Sequence, residues 1–182
     1  MPTTALIKTL NVNLFAGPGV GKSVTAAALF VALKMRGVHA ELIGEYAKEL
    51  VYDGDLNFDQ KKIITEQHRR QARLQGKVAV AITDSALPVA LAYADPSSRE
   101  MLGAQIRALT RGWRNLNVLL HRDLMQSYEQ EGRYQSRDEA IRFHHQEMAP
   151  FVRAFHGEDL VECGVDTAVP ALVARVLVLL ES

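Results

Sequence analysis

The stretch Leu10-Asn11-Val12-Asn13-Leu14-Phe15-Ala16-Gly17-Pro18-Gly19-Val20-Gly21-Lys22-Ser23, followed by the helix-like run Val24 to Met35, decides the fold. An apolar strand runs into a glycine-rich turn that ends in Lys-Ser and opens a helix, which is the context a phosphate-binding loop requires. Glycines let backbone N–H groups turn inward around an anion, and the helix adds the positive end of its dipole. The pattern assigns Gly17, Pro18, Gly19, Val20, Gly21, Lys22 and Ser23 to a nucleoside triphosphate. Within it Lys22 reaches the β- and γ-phosphates and the Ser23 hydroxyl ligates Mg2+. The bland alternative is a glycine-rich turn between core elements, which explains neither the Lys-Ser pair nor the helix behind it.

Composition fits one domain over residues 1–182. With 48% hydrophobic residues and six prolines among 182, the chain can bury a sizeable core. Its 21 basic and 21 acidic residues cancel, so no global field draws it to nucleic acid or membrane. Charge is uneven locally: 41–59 holds six carboxylates against Lys48, and 61–77 holds Lys61, Lys62, Arg69, Arg70, Arg73 and Lys77 against Glu66. The single Cys163 excludes an intramolecular disulfide framework and reads as a small core hydrophobe. No secretory core or membrane-length span is visible, so the expected setting is cytoplasmic, that of a host cell if the protein is viral. The sequence leaves the oligomeric state open, a homodimer included.

Short apolar runs alternate with longer helical patterns, the βαβ pattern of an α/β fold with a parallel sheet covered on both faces. Strands are predicted at 10–16, 39–44, 78–83, 116–121 and 159–163, and helices at 22–36, 58–75, 86–93, 98–111, 137–155 and 168–181. Ser97-Ser98-Arg99-Glu100 and Ser136-Arg137-Asp138-Glu139 read as capping boxes, and Gly37 as the residue that stops the first helix. Val169, Leu172, Val173, Val176 and Leu180 form a stripe that packs the last helix on the sheet.

Ligands bind at the carboxyl ends of strands in such sheets, so the residues after each apolar run are the candidates. Asp84, after Val78 to Ile82, is expected to hold Mg2+ directly or through water or to act as a base; its alternative is a cap for the helix behind it. Glu45 could accept a proton from a hydroxyl acceptor, or be a solvated charge in an acidic stretch. A polar segment at about 123–136, flanked by Arg122 and Arg137 and containing Arg133, reads as a lid whose arginines neutralise charge as a γ-phosphoryl transfers, or as an exposed loop. Gln60, Gln67 and Arg70 could face the acceptor or form a polar surface. Trp113 could stack on a base, although packing at the sheet edge is the commoner use, and His144-His145, adjacent on a helix, point in different directions and make no metal pair. No guanine-specifying Asn-Lys-x-Asp element is present, and there is little room for the helical lid domain of a ring motor. Phosphoryl transfer remains the best reading, with a non-catalytic ATP-binding switch as the alternative from another class.

The phosphate loop together with Glu45-Tyr46-Ala47-Lys48, Asp59-Gln60, Glu66-Gln67, Arg70-Gln71, Ile82-Thr83-Asp84-Ser85 and Glu131-Gly132-Arg133 resembles a bacteriophage P-loop kinase group of the thymidylate-kinase-like kind. That group is akin to the riboside kinase domain of bacterial NAD-salvage proteins and includes the 5-hydroxymethyluridine DNA kinases. The resemblance implies an ATP- and Mg2+-dependent kinase with Lys22, Asp84, Glu45 and Arg133 in catalysis, Arg122 at the nucleotide, and Ser23 and Asp84 at the metal. It implies as acceptor the hydroxymethyl group of 5-hydroxymethyluracil in phage DNA, a step in thymidine hypermodification. A nucleoside, nucleotide or nicotinamide riboside is the small-molecule alternative. Thymidylate kinases carry Asp-Arg where this chain has Asp84-Ser85, so the arginine that contacts a monophosphate acceptor is missing there, which favours a neutral hydroxyl.

Overall fold

The apolar run ahead of the glycines forms β1, Leu10–Phe15, buried along its whole length. A computed structural model describes residues 8–55, 58–121 and 135–181. In it β1 is the middle strand of a five-stranded sheet in the order β2-β3-β1-β4-β5, with β2 Ala40–Ile43, β3 Val80–Thr83, β4 Arg114–His121 and β5 Leu160–Gly164. Every pairing is parallel, and β1 is in register with β3 (Asn13 opposite Thr83) on one side and β4 (Phe15 opposite Leu119) on the other. The doubly covered α/β sheet expected from the βαβ rhythm is therefore the fold.

Alternation along β1 assigns its two faces. Leu10, Val12 and Leu14 join Val80, Ile82, Val118 and Leu120 under α1, Lys22–Lys34, and α8, Val165–Glu181, which contribute Leu29, Leu33, Leu172 and Val176. The stripe expected on the last helix is the one that packs, although the helix begins three residues early, directly at the end of β5. On the other face Phe15 meets Leu119, Met148 and Val152, while Asn11 and Asn13 are buried there as well. Their amides are satisfied. Asn11 exchanges bonds with Gln75 and donates to the Arg114 carbonyl, and Asn13 donates to the side-chain oxygens of Asn115 and Asn117. A buried amide left without partners would cost more than these bonds contribute, and through Gln75 this polar strip ties the turn that follows α3, Gln60–Ala72, to the sheet.

Local chemistry sets the element ends. Gly37 has φ 76° and closes α1 as expected. Ser136 caps α6, Arg137–Phe143, in a complete capping box with Glu139. The second expected box is not one: α5, Pro96–Leu109, starts at Pro96 behind Asp95, because proline's fixed φ suits a first helical position, and Ser98 donates back to the Asp95 carbonyl. Pro88 likewise delays α4 to Val89–Tyr93. The acidic stretch folds into a short helix that the sequence reading lacked, α2, Tyr46–Tyr52, whose buried residue is Leu50; seven residues give too little periodicity to read. The helix expected over 137–155 is interrupted by a π turn at His144–Met148 before α7, Ala149–His156. Pro150 supplies no N–H to the Gln146 carbonyl and crowds it, and the turn before it widens, with Ala149 N–H reaching back to the His144 carbonyl.

Among the described residues no helix is long and apolar enough to cross a membrane. The central strand makes a stability prediction. Leu14→Ala, which empties a fully buried site under α1 and α8, should lower unfolding free energy by about 3 kcal/mol in chemical denaturation. A loss below about 1 kcal/mol would mean that this layer is not close-packed as described.

Candidate functional site

The loop between β1 and α1 turns on its glycines. Gly19 has φ 77° and Gly21 φ 121°, conformations that residues with a Cβ rarely adopt. Gly21 caps α1 with no side-chain hydrogen bond, so no side chain competes at that cap for the first-turn N–H groups that an anion would take. Lys22 Nζ donates to the carbonyls of Ala16 at 2.9 Å and Gly17 at 3.2 Å, folded over the cradle. Pro18, Gly19, Gly21, Lys22 and Ser23 line one cavity of about 990 Å³. Val20 is buried and anchors the loop in the core. Gly17 turns the other way, donating its N–H to Nδ1 of His144 at 3.1 Å. A Cβ on Gly17 would stand 2.7 Å from the His144 Cβ, so this glycine is required for clearance.

Two carboxylates follow the ends of neighbouring strands, and of the two Glu45 lines the cavity. Asp84 follows β3, next to β1 in the sheet, and is buried with its Oδ1 lacking a hydrogen-bond partner. An orphaned buried carboxylate oxygen beside a phosphate loop fits a Mg2+ ion or one of its waters, since such atoms are rarely left unmatched. The capping alternative for Asp84 fails because α4 begins five residues later, behind Pro88. Glu45 is half-buried, lines the cavity and stands at the N-terminus of α2. Gln67 holds the peptide groups on both sides of Glu45: its Oε1 accepts from Tyr46 N–H and its Nε2 donates to the Gly44 carbonyl. The same Nε2 reaches Thr83 Oγ1 at 3.4 Å, and Thr83 in turn accepts from the Ser85 N–H. Gln67 thus ties the carboxyl ends of β2 and β3 together from beneath.

Apolar side chains wall the rest of the chamber. Val51, Phe58, Ile63 and Leu87 line it, and Tyr93 stacks on Phe143 with ring centroids 4.7 Å apart. Gln60, whose Nε2 donates to the Phe58 carbonyl, and Lys48 add polar groups, while Glu139, Arg142, Gln146 and Glu147 face the chamber from α6 and the π turn. A flat ring with a few polar edges suits such a lining.

Several expected participants stand elsewhere. Arg70 is taken by Glu49 and Glu66 at 2.6 and 2.9 Å and lies over the Tyr46 ring. The Arg69 and Arg70 guanidinium groups hold Glu66 down to about 2. Lys62 pairs with Asp55, so much of the basic run 61–77 is neutralised within the chain. Trp113 stacks on His68 at 5.4 Å, the packing use rather than a base platform. Cys163 is half-buried against the core, where burial pushes its thiol up. His144 is buried and His145 exposed, as adjacent helical positions dictate. Arg122, Arg133 and most of the expected lid lie outside the described residues. Among the described residues no three His, Cys, Asp or Glu side chains form a metal cluster.

Sequence reasoning missed what His144 and Gln67 do. His144 carried no signal beyond its adjacency to His145, because its meeting with Gly17 spans 127 residues. Gln67 had a signal, the heptad spacing from Gln60, but its partners are peptide groups of two other elements.

A parallel sheet with a Lys-Ser glycine loop at its central strand defines a P-loop nucleotide-binding protein of the nucleotide-kinase-like arrangement. Residues 11–156 match the family described as AAA domain, and the chain belongs to that family. Similar folds among solved structures include a NadR protein in complex with NR, 18% identical with a TM-score of 0.63 over 85% of this chain. This chain spans 45% of that protein's length. The Mycobacterium tuberculosis APS kinase CysC, in complex with AMPPNP and APS, is 17% identical with a TM-score of 0.52, covering 96% of this chain and 99% of its own. A search of curated protein sequences gives no match.

Lys22 separates function from folding. Lys22→Ala should leave the melting temperature within a few degrees, because the ammonium bonds loop carbonyls at a partly buried position, while phosphoryl transfer falls by at least about a thousandfold. Wild-type turnover in folded Lys22→Ala protein would remove the loop from the chemistry.

Proposed function

We propose that the protein is an ATP-dependent kinase that transfers the γ-phosphoryl group to a hydroxyl of a nucleoside-type acceptor. The observation that carries this reading is one continuous chamber lined by the phosphate loop, by Glu45 and by apolar and aromatic side chains that suit a flat ring, with the unpartnered Asp84 carboxylate at the neighbouring strand end. Pro18, Gly19, Gly21 and Lys22 would hold the triphosphate, with Lys22 leaving the Ala16 and Gly17 carbonyls for the β- and γ-phosphates. Ser23 and Asp84 would hold Mg2+, which supplies charge neutralisation on the phosphate oxygens when bound. Glu45 or Asp84 would accept the hydroxyl proton, and Arg133 and Arg122 would face the phosphates, a role resting on the sequence.

The acceptor proposed is the hydroxymethyl group of 5-hydroxymethyluracil in DNA. Two things support it: the resemblance carried by the strand-end motifs, and Ser85 standing where a monophosphate-binding arginine would be. A primary hydroxyl on a flipped pyrimidine would enter the pocket while the polymer stays outside. A second reading, a free nucleoside or riboside, is favoured by the neutralisation of Arg69, Arg70 and Lys62 by carboxylates, since DNA affinity rests on unpaired basic groups. The fold likeness to a NadR protein bound to NR points the same way.

γ-Labelled ATP offered with hydroxymethyluracil-containing DNA, ordinary DNA, free nucleosides and nicotinamide riboside separates these readings. The proposal expects label in the modified DNA alone, with a rate that falls more steeply with salt than ATP affinity does. Label confined to a free nucleoside or riboside would overturn the polymer acceptor, and ATP binding with no labelled acceptor would leave a nucleotide switch. On the labelled acceptor, single-turnover rates then distinguish the two carboxylates. Asp84→Asn should reduce the rate by orders of magnitude with little change in ATP binding, and Glu45→Gln should do so if Glu45 is the base. Near-normal rates in both variants would place the chemistry elsewhere.

A further inference from the structure

His144 is among the most buried polar side chains of the molecule, at 1% exposure. Its Nδ1 accepts from Gly17, the first glycine of the phosphate loop. An amide N–H can only donate, so Nδ1 carries no proton and the ring's proton sits on Nε2; this tautomer is assigned from the Gly17 bond. His144 is the first residue of the π turn, and Arg142, Gln146 and Glu147 on either side of it line the chamber.

We propose that His144 is a positioning residue: as a neutral hydrogen-bond acceptor it fixes the Gly17 amide, and with it the entry to the phosphate loop, against the helix whose polar face borders the nucleotide chamber. This rests on the loop binding ATP. Burial and the charge around the ring keep it neutral. Lys22 from α1, His145 beside it, His121 from the end of β4 and Arg153 from α7 all disfavour a second proton, and Glu162 is turned to His121 and Arg153. Burial above all, then these neighbours, pushes His144 down to about 4, so the bond persists at neutral pH. The clearance at Gly17 belongs to the same device: with no Cβ there, the His144 Cβ and Cα can approach the loop backbone closely enough for the 3.1 Å bond. A mere space-filler would not need the acceptor nitrogen.

The test compares His144→Asn, whose side-chain oxygen can take the place of Nδ1, with His144→Phe, which keeps a ring and loses the acceptor. Three quantities are read: thermal stability, affinity for a fluorescent ATP analogue, and hydrogen exchange at the Gly17 amide without nucleotide. The Phe variant should fold, expose the Gly17 amide to exchange and bind the analogue about tenfold more weakly, whereas the Asn variant should come within about threefold of wild type. Equal affinity and equal Gly17 protection in the Phe variant would overturn the proposal. If the Phe variant does not fold, wild-type protein decides: nitrogen NMR should find Nδ1 unprotonated and the Gly17 amide slow to exchange, and a proton on Nδ1 or fast exchange would overturn it. Failure of the wild type to bind any ATP analogue would instead sink the kinase reading, with the Gly17 amide still reporting whether His144 holds the loop.

Discussion

The meeting of Gly17 with His144 is the constraint on which the functional end of this molecule depends. It brings the first turn of a phosphate loop into contact with a helix more than a hundred residues away, at a distance that only a missing Cβ allows. Once that contact is made, the other pieces have fixed places. β1 runs down the middle of the sheet and delivers the loop to its carboxyl edge, Val20 sinks into the core behind it, and Gly19 and Gly21 turn the backbone. Lys22 bonds the loop's own carbonyls, which holds a cation where triphosphate charge is to be met.

A second set of bonds performs the same service for the acidic edge. Gln67 reaches from α3 to the peptide groups around Glu45 and to Thr83, so one carboxamide aligns the ends of two strands. Buried amide networks of this kind are costly when half satisfied and specific when complete. Above them Glu49 and Glu66 hold Arg70, with Glu49 kept below the usual carboxylate range by the Arg70 guanidinium. That pairing shapes the α2–α3 corner, and it also removes a cation from the surface a polymer would touch.

Much of this was legible in the sequence because the relevant signals are local. Strand, glycines, Lys-Ser and helix lie in one continuous run from Leu10 to Met35, and strand ends follow apolar runs by simple counting. Ser136-Arg137-Asp138-Glu139 worked as a capping box for the same reason. Ser97-Ser98-Arg99-Glu100 did not, because a proline one residue earlier had already started the helix. What the sequence did not carry is long-range. Nothing local says that His144 meets Gly17, or that Gln67 is consumed by Gly44, Tyr46 and Thr83. The basic run 61–77 looked like a free face because its carboxylate partners are either far along the chain, as Glu49 is from Arg70, or shared, as Glu66 is between Arg69 and Arg70.

On the proposed reading, the loop at the end of β1 presents a γ-phosphoryl group to the chamber lined by Glu45, with Asp84 at the neighbouring strand end. A crystal structure with a non-hydrolysable ATP analogue and Mg2+ tests it most directly. The account predicts Lys22 Nζ displaced from the Ala16 and Gly17 carbonyls onto the β- and γ-phosphates, the metal beside Ser23 and Asp84, and the γ-phosphate facing the apolar pocket. An analogue bound away from the loop, or a γ-phosphate turned from the chamber with Lys22 still on its carbonyls, would contradict it.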